Sequence, residues 1–109
     1  MVTITDRRLD LVLRAVADPT RREILHLLRR GPHTVGAISR NFRMSRPAIS
    51  RHLRVLRSAR LIMTHKSGTS RVCDLNGKPL RSIHNWLRDY EPFWSDTLRD
   101  LKRYVEETG

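Results

Sequence analysis

The 109-residue sequence predicts a single, mainly helical domain that carries one small β-hairpin. Three observations lead there. Apolar residues recur at steps of three and four through most of the chain, which is the helical period. Capping residues followed closely by proline, Asp18-Pro19 and Ser45-Arg46-Pro47, mark two helix starts. The helical period gives way between residues 61 and 75, where two strand-like runs flank a short polar turn.

The elements follow in order. Thr5 caps a first helix, Asp6 to Ala17, whose Leu9, Val12, Leu13 and Val16 make one apolar stripe. Asp18 caps a second, with Thr20 to Glu23 as a competing capping box; it buries Ile24, Leu25, Leu27 and Leu28 and stops near Arg30, before Gly31-Pro32. Thr34 caps a short third helix of about nine residues with Val35, Ile38 and Phe42 at helical spacing. After Arg43-Met44, Ser45 caps a fourth helix, Arg46 to about Arg60, with Ile49, Leu53 and Leu56 on its apolar side. A short helix, a brief turn and a longer helix give the helix-turn-helix outline.

Leu61–Lys66 and Arg71–Leu75 then read as strands joined through Ser67-Gly68-Thr69-Ser70, so the hairpin makes this the winged variant. From Lys78 onward the period is helical again, with Pro92 predicting a kink or a break between Arg88 and Phe93. The expected order is α-α-α-α-β-β-α within one domain, residues 1–109.

Charge points to the partner. The chain holds 22 Lys and Arg against 11 Asp and Glu, a formal +11. Residues 1–60 carry fourteen basic and four acidic side chains, whereas residues 61–109 carry eight and seven. Between residues 40 and 60 stand seven arginines and no acid. A solvated face usually mixes both signs, so this segment is the candidate surface for an anionic partner, most often nucleic acid, here double-stranded DNA, and sometimes an acidic membrane surface.

On an ideal helix Ile49, Leu53 and Leu56 share one side, while Pro47, Arg51 and Arg54 point nearly opposite and Ser50 and Arg57 flank them. Ser50 and Arg51, near the N-terminal end, are placed for base edges, since an arginine fork can bond guanine O6 and N7 together. Arg54 and Arg57 lie where the groove wall is phosphate, and Ser45 with Arg46 can meet a phosphate at the helix start. Lys66, Thr69, Ser70 and Arg71 around the hairpin turn are candidate backbone contacts. His52, at the edge of the apolar stripe, has two readings, a packed side chain or a further DNA contact.

The C-terminal pattern is broad. Leu80, Ile83, Leu87, Tyr90, Trp94, Leu98, Leu101 and Val105 recur at helical steps, Trp86 and Phe93 add a second row, and five of the six aromatics fall here. A domain of this size has little interior to cover such a face, which predicts pairing with a second copy of the chain.

Other chemistries find no anchor. Five histidines and one cysteine show no tight metal-ligand spacing, and no nucleophile elbow, phosphate loop or carboxylate pair is present, so no enzyme, cofactor or metal is expected. Neither a signal sequence nor a membrane span is legible, and a lone cysteine implies no oxidising compartment, which predicts a cytoplasmic protein. Cys73 reads as a structural thiol, with a redox sensor as the alternative.

The runs Ala17-Asp18-Pro19-Thr20-Arg21-Arg22-Glu23-Ile24-Leu25, Thr34-Val35-Gly36-Ala37-Ile38 and Ser45-Arg46-Pro47-Ala48-Ile49-Ser50-Arg51-His52-Leu53-Arg54-Val55-Leu56 resemble the ArsR family of bacterial winged helix-turn-helix regulators. The resemblance covers residue 6 to the end of the second hairpin strand. It implies a homodimer whose interface is formed by the first and last helices, residues 6–17 and 78–107, with Leu9, Val12 and Leu13 joining the C-terminal stripe. It also implies that the Ser45 to Ala59 helix reads an operator and that an effector relieves repression. The cysteines of metal-sensing members are missing from Val35 to Phe42, and His84 and Asp89 stand isolated, so the metal-sensing role is not carried over. The long aromatic C-terminus looks like the branch without recognised metal sites and leaves room for a small-molecule effector. The expectation is a sequence-specific, dimeric repressor on an inverted repeat; the alternatives are a non-specific architectural or RNA-binding protein and a thiol-redox regulator acting through Cys73.

Overall fold

The structure, a computed structural model, describes residues 7–108, including the side chains of all but residues 96–98. Its elements are α1 (Arg7–Val16), α2 (Pro19–Leu28), β1 (His33–Thr34), α3 (Val35–Arg40), α4 (Arg46–Ser58), β2 (Ile62–Ser67), β3 (Ser70–Leu75), α5 (Leu80–Arg88) and α6 (Glu91–Thr108). The fold is the expected winged helix-turn-helix with one addition, a third strand; of the kink or break expected at Pro92, the C-terminal helix shows the break. Thr5, Asp6 and the side chain of Leu98 lie outside the described residues.

The helix starts obey the caps. Asp18 Oδ2 accepts the Arg21 amide at 3.1 Å, so Asp18, and not the Thr20 box, begins α2. Thr34 Oγ1 accepts from the Ala37 amide at 3.0 Å and Ser45 Oγ from the Ala48 amide at 3.2 Å, each satisfying a donor that a helix start leaves unpaired. Thr34 has a second task. With His33 it forms β1, antiparallel to β3 in the register His33↔Cys73 and Thr34↔Val72, and the sheet order is β1-β3-β2. Two residues are too few to show a strand period, which is why sequence pattern misses this strand.

Two ends fall short of their sequence-based limits. α3 stops at Arg40, leaving Phe42 outside the helix but still packed on the core. α4 stops at Ser58 because Arg60 turns left-handed, φ 60°. There the Arg60 amide bonds the Arg57 carbonyl at 2.9 Å and the Leu61 amide the Leu56 carbonyl at 3.0 Å, a Schellman closure. Asn76 Nδ2 then ties the Arg60 carbonyl at 2.8 Å, which sends the chain directly into the wing.

One core is formed by Val12 and Ala15 of α1, Ile24, Leu25 and Leu28 of α2, Ile38 of α3, Ile49, Leu53 and Leu56 of α4, and Leu61, Ile62 and Cys73 at the sheet. Val12, expected at a partner interface, is therefore corrected to this core: it is 2 % exposed, since α1 packs on α2 and α4. Leu9, Leu13 and Ile83 are half-buried where α1 packs along α5.

Pro92 divides the C-terminal helix. It has no N–H for the Arg88 carbonyl, so α5 ends at Arg88, and α6 restarts at Glu91 with the proline in its first turn. Among the described residues α6 packs extensively on no other element. A compact chain of this length would have a radius of gyration near about 13 Å, against 18.0 Å here. The difference leaves Trp86, Leu87, Tyr90, Phe93, Trp94 and Leu101 exposed, with Leu80 also on the surface. Leu11, Tyr104 and Val105, which lie on the same terminal helices, are exposed as well.

Candidate nucleic-acid interface

The exposed basic face of α4 follows from burying its other side. With Ile49, Leu53 and Leu56 fixed in the core, the helical period forces Arg46, Ser50, Arg51, Arg54 and Arg57 outward. The hairpin supplies the facing wall. Gly68 takes φ 64° between the paired Ser67 and Ser70, which fits a type II′ turn and lets β2 reverse in two residues.

Between α4 and the hairpin lies a cleft of about 740 Å³. Arg46, Ser50, Arg54 and Arg57 line it from α4, and Lys66, Thr69, Ser70 and Arg71 from the wing. Arg40, together with Thr34 and Thr64, completes the wall and was not among the sequence-based contacts. Arg40 belonged to the acid-free run marked as the candidate surface, but on the shorter helix it was not singled out as a contact. The lining thus holds six cations, Arg40, Arg46, Arg54, Arg57, Lys66 and Arg71, and no carboxylate. Among the described residues none of the six has an ion-pair partner.

Such a concentration of one sign is unfavourable by itself and becomes favourable when an anion enters. Lys66 and Arg71 even occupy directly opposed positions on β2 and β3. The residues of the hairpin's other face are different in kind: Met63 is exposed, and His65 Nδ1 stands 3.5 Å from Asp74 Oδ2.

Ser45, Pro47 and Arg51 are exposed but lie beside the cleft and not in its lining. Of its two sequence readings, His52 matches the packed one and is half-buried. Its Nδ1 is 3.3 Å from Arg21 Nη1 and 3.9 Å from Asp18 Oδ2, because residue 52 falls on the flank of α4 that meets α2. Cys73 has no exposed surface, and burial pushes its thiol up from the ordinary value, helped by the Asp74 charge and opposed by Arg57 and Arg71. A buried position and a raised pKa are the features of a structural thiol, whereas a redox-reactive one is exposed with a lowered pKa. Among the described residues no group of three or more His, Cys, Asp or Glu could hold a metal ion, and no helix is long and apolar enough to cross a membrane.

A short helix, a tight turn and a longer arginine-rich helix, flanked by a basic hairpin, define a DNA-binding domain of the winged helix-turn-helix class. The profile described as bacterial regulatory protein, arsR family, matches residues 18–64. Over 105 residues the chain is 37 % identical to the HTH-type transcriptional regulator Rv2034 of Mycobacterium tuberculosis, covering 96 % of this chain and 95 % of that one. The chain belongs to the ArsR family of bacterial transcriptional regulators. It is also 40 % identical to the transcriptional repressor SdpR of Bacillus subtilis over 79 residues, 72 % of this chain and 88 % of the relative. A solved structure of an ArsR family transcriptional regulator, RHA00566, superposes with a TM-score of 0.75 at 34 % identity, covering 87 % of this chain and 97 % of that one. These relatives are regulators and not enzymes.

Proposed function

We propose that the protein acts in the cytoplasm as a homodimeric repressor of transcription that binds an inverted-repeat operator. The observation that carries this reading is the cleft in which α4 and the wing present six cations and no acid. Two copies place their α4 helices in successive major grooves, about 34 Å apart. Ser50 and Arg51, near the N-terminal end of each helix, meet base edges. Arg54, Arg57 and Arg40 engage phosphates beside them, Ser45 and Arg46 hold a phosphate at the helix start, and Lys66, Thr69, Ser70 and Arg71 follow the backbone outward.

Dimerisation is supported by the exposed apolar side chains of α5 and α6. Trp86 and Tyr90 present rings 5.2 Å apart, and Phe93 is 82 % exposed, a large apolar surface for a water-soluble domain to leave open. Placing α1 and α5 at the two-fold axis fixes the distance between the reading helices. The repressor role is supported by the likeness to SdpR.

The test is selection of bound fragments from genomic DNA followed by titration of the selected site against random duplex, with light scattering on the free protein. The expected result is a dimer mass and a preference for the site of at least about 10³-fold at physiological salt. Equal affinity for both duplexes would favour a non-specific architectural protein, and a monomer at micromolar concentration would overturn the paired geometry.

A further inference from the structure

Arg21 makes contacts that serve neither the core nor the cleft. Its Nε donates to the Ala15 carbonyl at 2.7 Å and its Nη2 to the Arg14 carbonyl at 2.8 Å. Both carbonyls belong to the last turn of α1, where oxygens lack intrahelical partners and the helix dipole is negative. The remaining nitrogen, Nη1, lies 3.3 Å from Nδ1 of His52 on α4. One planar guanidinium therefore joins α1 to the reading helix, a span that the point-like ammonium of lysine could not reproduce. Asp18 closes the cluster, capping α2 through the Arg21 amide at 3.1 Å and standing 3.9 Å from His52 Nδ1.

The neighbouring arginine provides an internal comparison. Arg22 Nη1 donates to the Val16 carbonyl at 2.8 Å, so it too caps α1, but it has no contact with α4 among the hydrogen bonds of the described residues. Arg21 differs from Arg22 in the His52 link. His52 sits between Arg51 and Leu53, so whatever holds its ring also holds the rotation of α4 that aims Ser50, Arg51 and Arg54. At the other end of the strut, α1 packs along α5, the helix that begins the exposed apolar surface.

We propose that Arg21 is a positioning residue for DNA binding, which sets the orientation of α4 relative to α1 through His52 and so couples the dimer side of the fold to the reading helix. The inference rests on α4 being the helix that meets DNA. Arg21 touches none of the cleft, so it contributes alignment and no phosphate contact.

Arg21→Gln, Arg22→Gln, His52→Ala and the double variant Arg21→Gln/His52→Ala are compared in operator titrations over a salt series, with circular dichroism and dimer mass confirming each fold. Arg21→Gln and His52→Ala each weaken binding about tenfold and the double variant no further, the behaviour of two residues acting as one link. The slope of log affinity against log salt stays at the wild-type value, because no phosphate contact is removed. Arg22→Gln binds as wild type. Amide exchange in the free protein is the reading that needs no DNA: α4 exchanges faster in Arg21→Gln than in Arg22→Gln. Additive losses, a salt slope reduced by one contact per protomer, equal effects of the two arginines, or unchanged exchange in α4 would each overturn the proposal. A wild-type chain that fails to prefer its operator while α4 exchange responds as stated would instead contradict the operator reading.

Discussion

Lys66 and Arg71 stand directly opposite each other across the wing hairpin, on the face that lines the cleft. Like charges in directly paired positions destabilise a sheet, and no carboxylate among the described residues is paired with either of these two. A stability-driven sequence would alternate signs here. The proposed path of DNA along the wing would account for the pair, since a polyanion there turns the repulsion into attraction.

Lys66→Thr removes the repulsion and places a good strand former in β2. The free domain gains about 0.5 kcal/mol at low salt, while operator affinity falls and its salt slope drops by about 1.8, one phosphate contact being lost in each protomer of the dimer. Thermal unfolding with and without DNA reads both signs: stabilised free, less stabilised by DNA.

Arg51 and Arg54 differ in place, and their substitutions separate two kinds of contact. Arg54 lines the cleft and Arg51 is exposed beside it. Arg51→Ala relaxes sequence preference by about 1–3 kcal/mol for a lost bidentate contact, whereas Arg54→Ala weakens all sequences alike. Competition between the operator and single-base variants measures this, and one shared specificity ratio for the two variants would contradict the assigned roles.

Asp18 makes stability depend on acid. Burial pushes its carboxyl up, but the Arg21 amide, His52, the Arg21 guanidinium and the Thr20 amide together hold it below its ordinary value of 3.8. A depressed native value stabilises the fold above the unfolded value and loses that contribution as pH falls through the native one. Asn also caps helices well, so Asp18→Asn keeps the cap and loses the charge. Urea unfolding shows the variant less stable than wild type at pH 7, with the gap closing as pH falls below about 4.

Much of this was legible in the residues. Asp18, Thr34 and Ser45 fix three helix starts because a side-chain oxygen before an apolar run satisfies orphan amides locally, without help from the rest of the fold. The faces of α4 were legible for the same reason, since burial of Ile49 and Leu53 dictates where Arg54 points. What escaped depends on partners distant in sequence. Strand β1 exists through pairing with β3, nearly forty positions on. Val12 is core and not interface because α1 lies on α2 and α4, and His52 turns inward because Arg21 and Asp18 meet it from another helix. Arg40 joins the cleft through the approach of α3 to the wing, which no local period encodes.

Two α4 helices with their wings are proposed to grip one face of a duplex, and hydroxyl-radical footprinting of the selected operator decides it. Two symmetric protected segments centred about 10 base pairs apart are expected, both lost in Arg46→Ala/Arg54→Ala. A single protected patch, or protection spread evenly along the duplex, would contradict it.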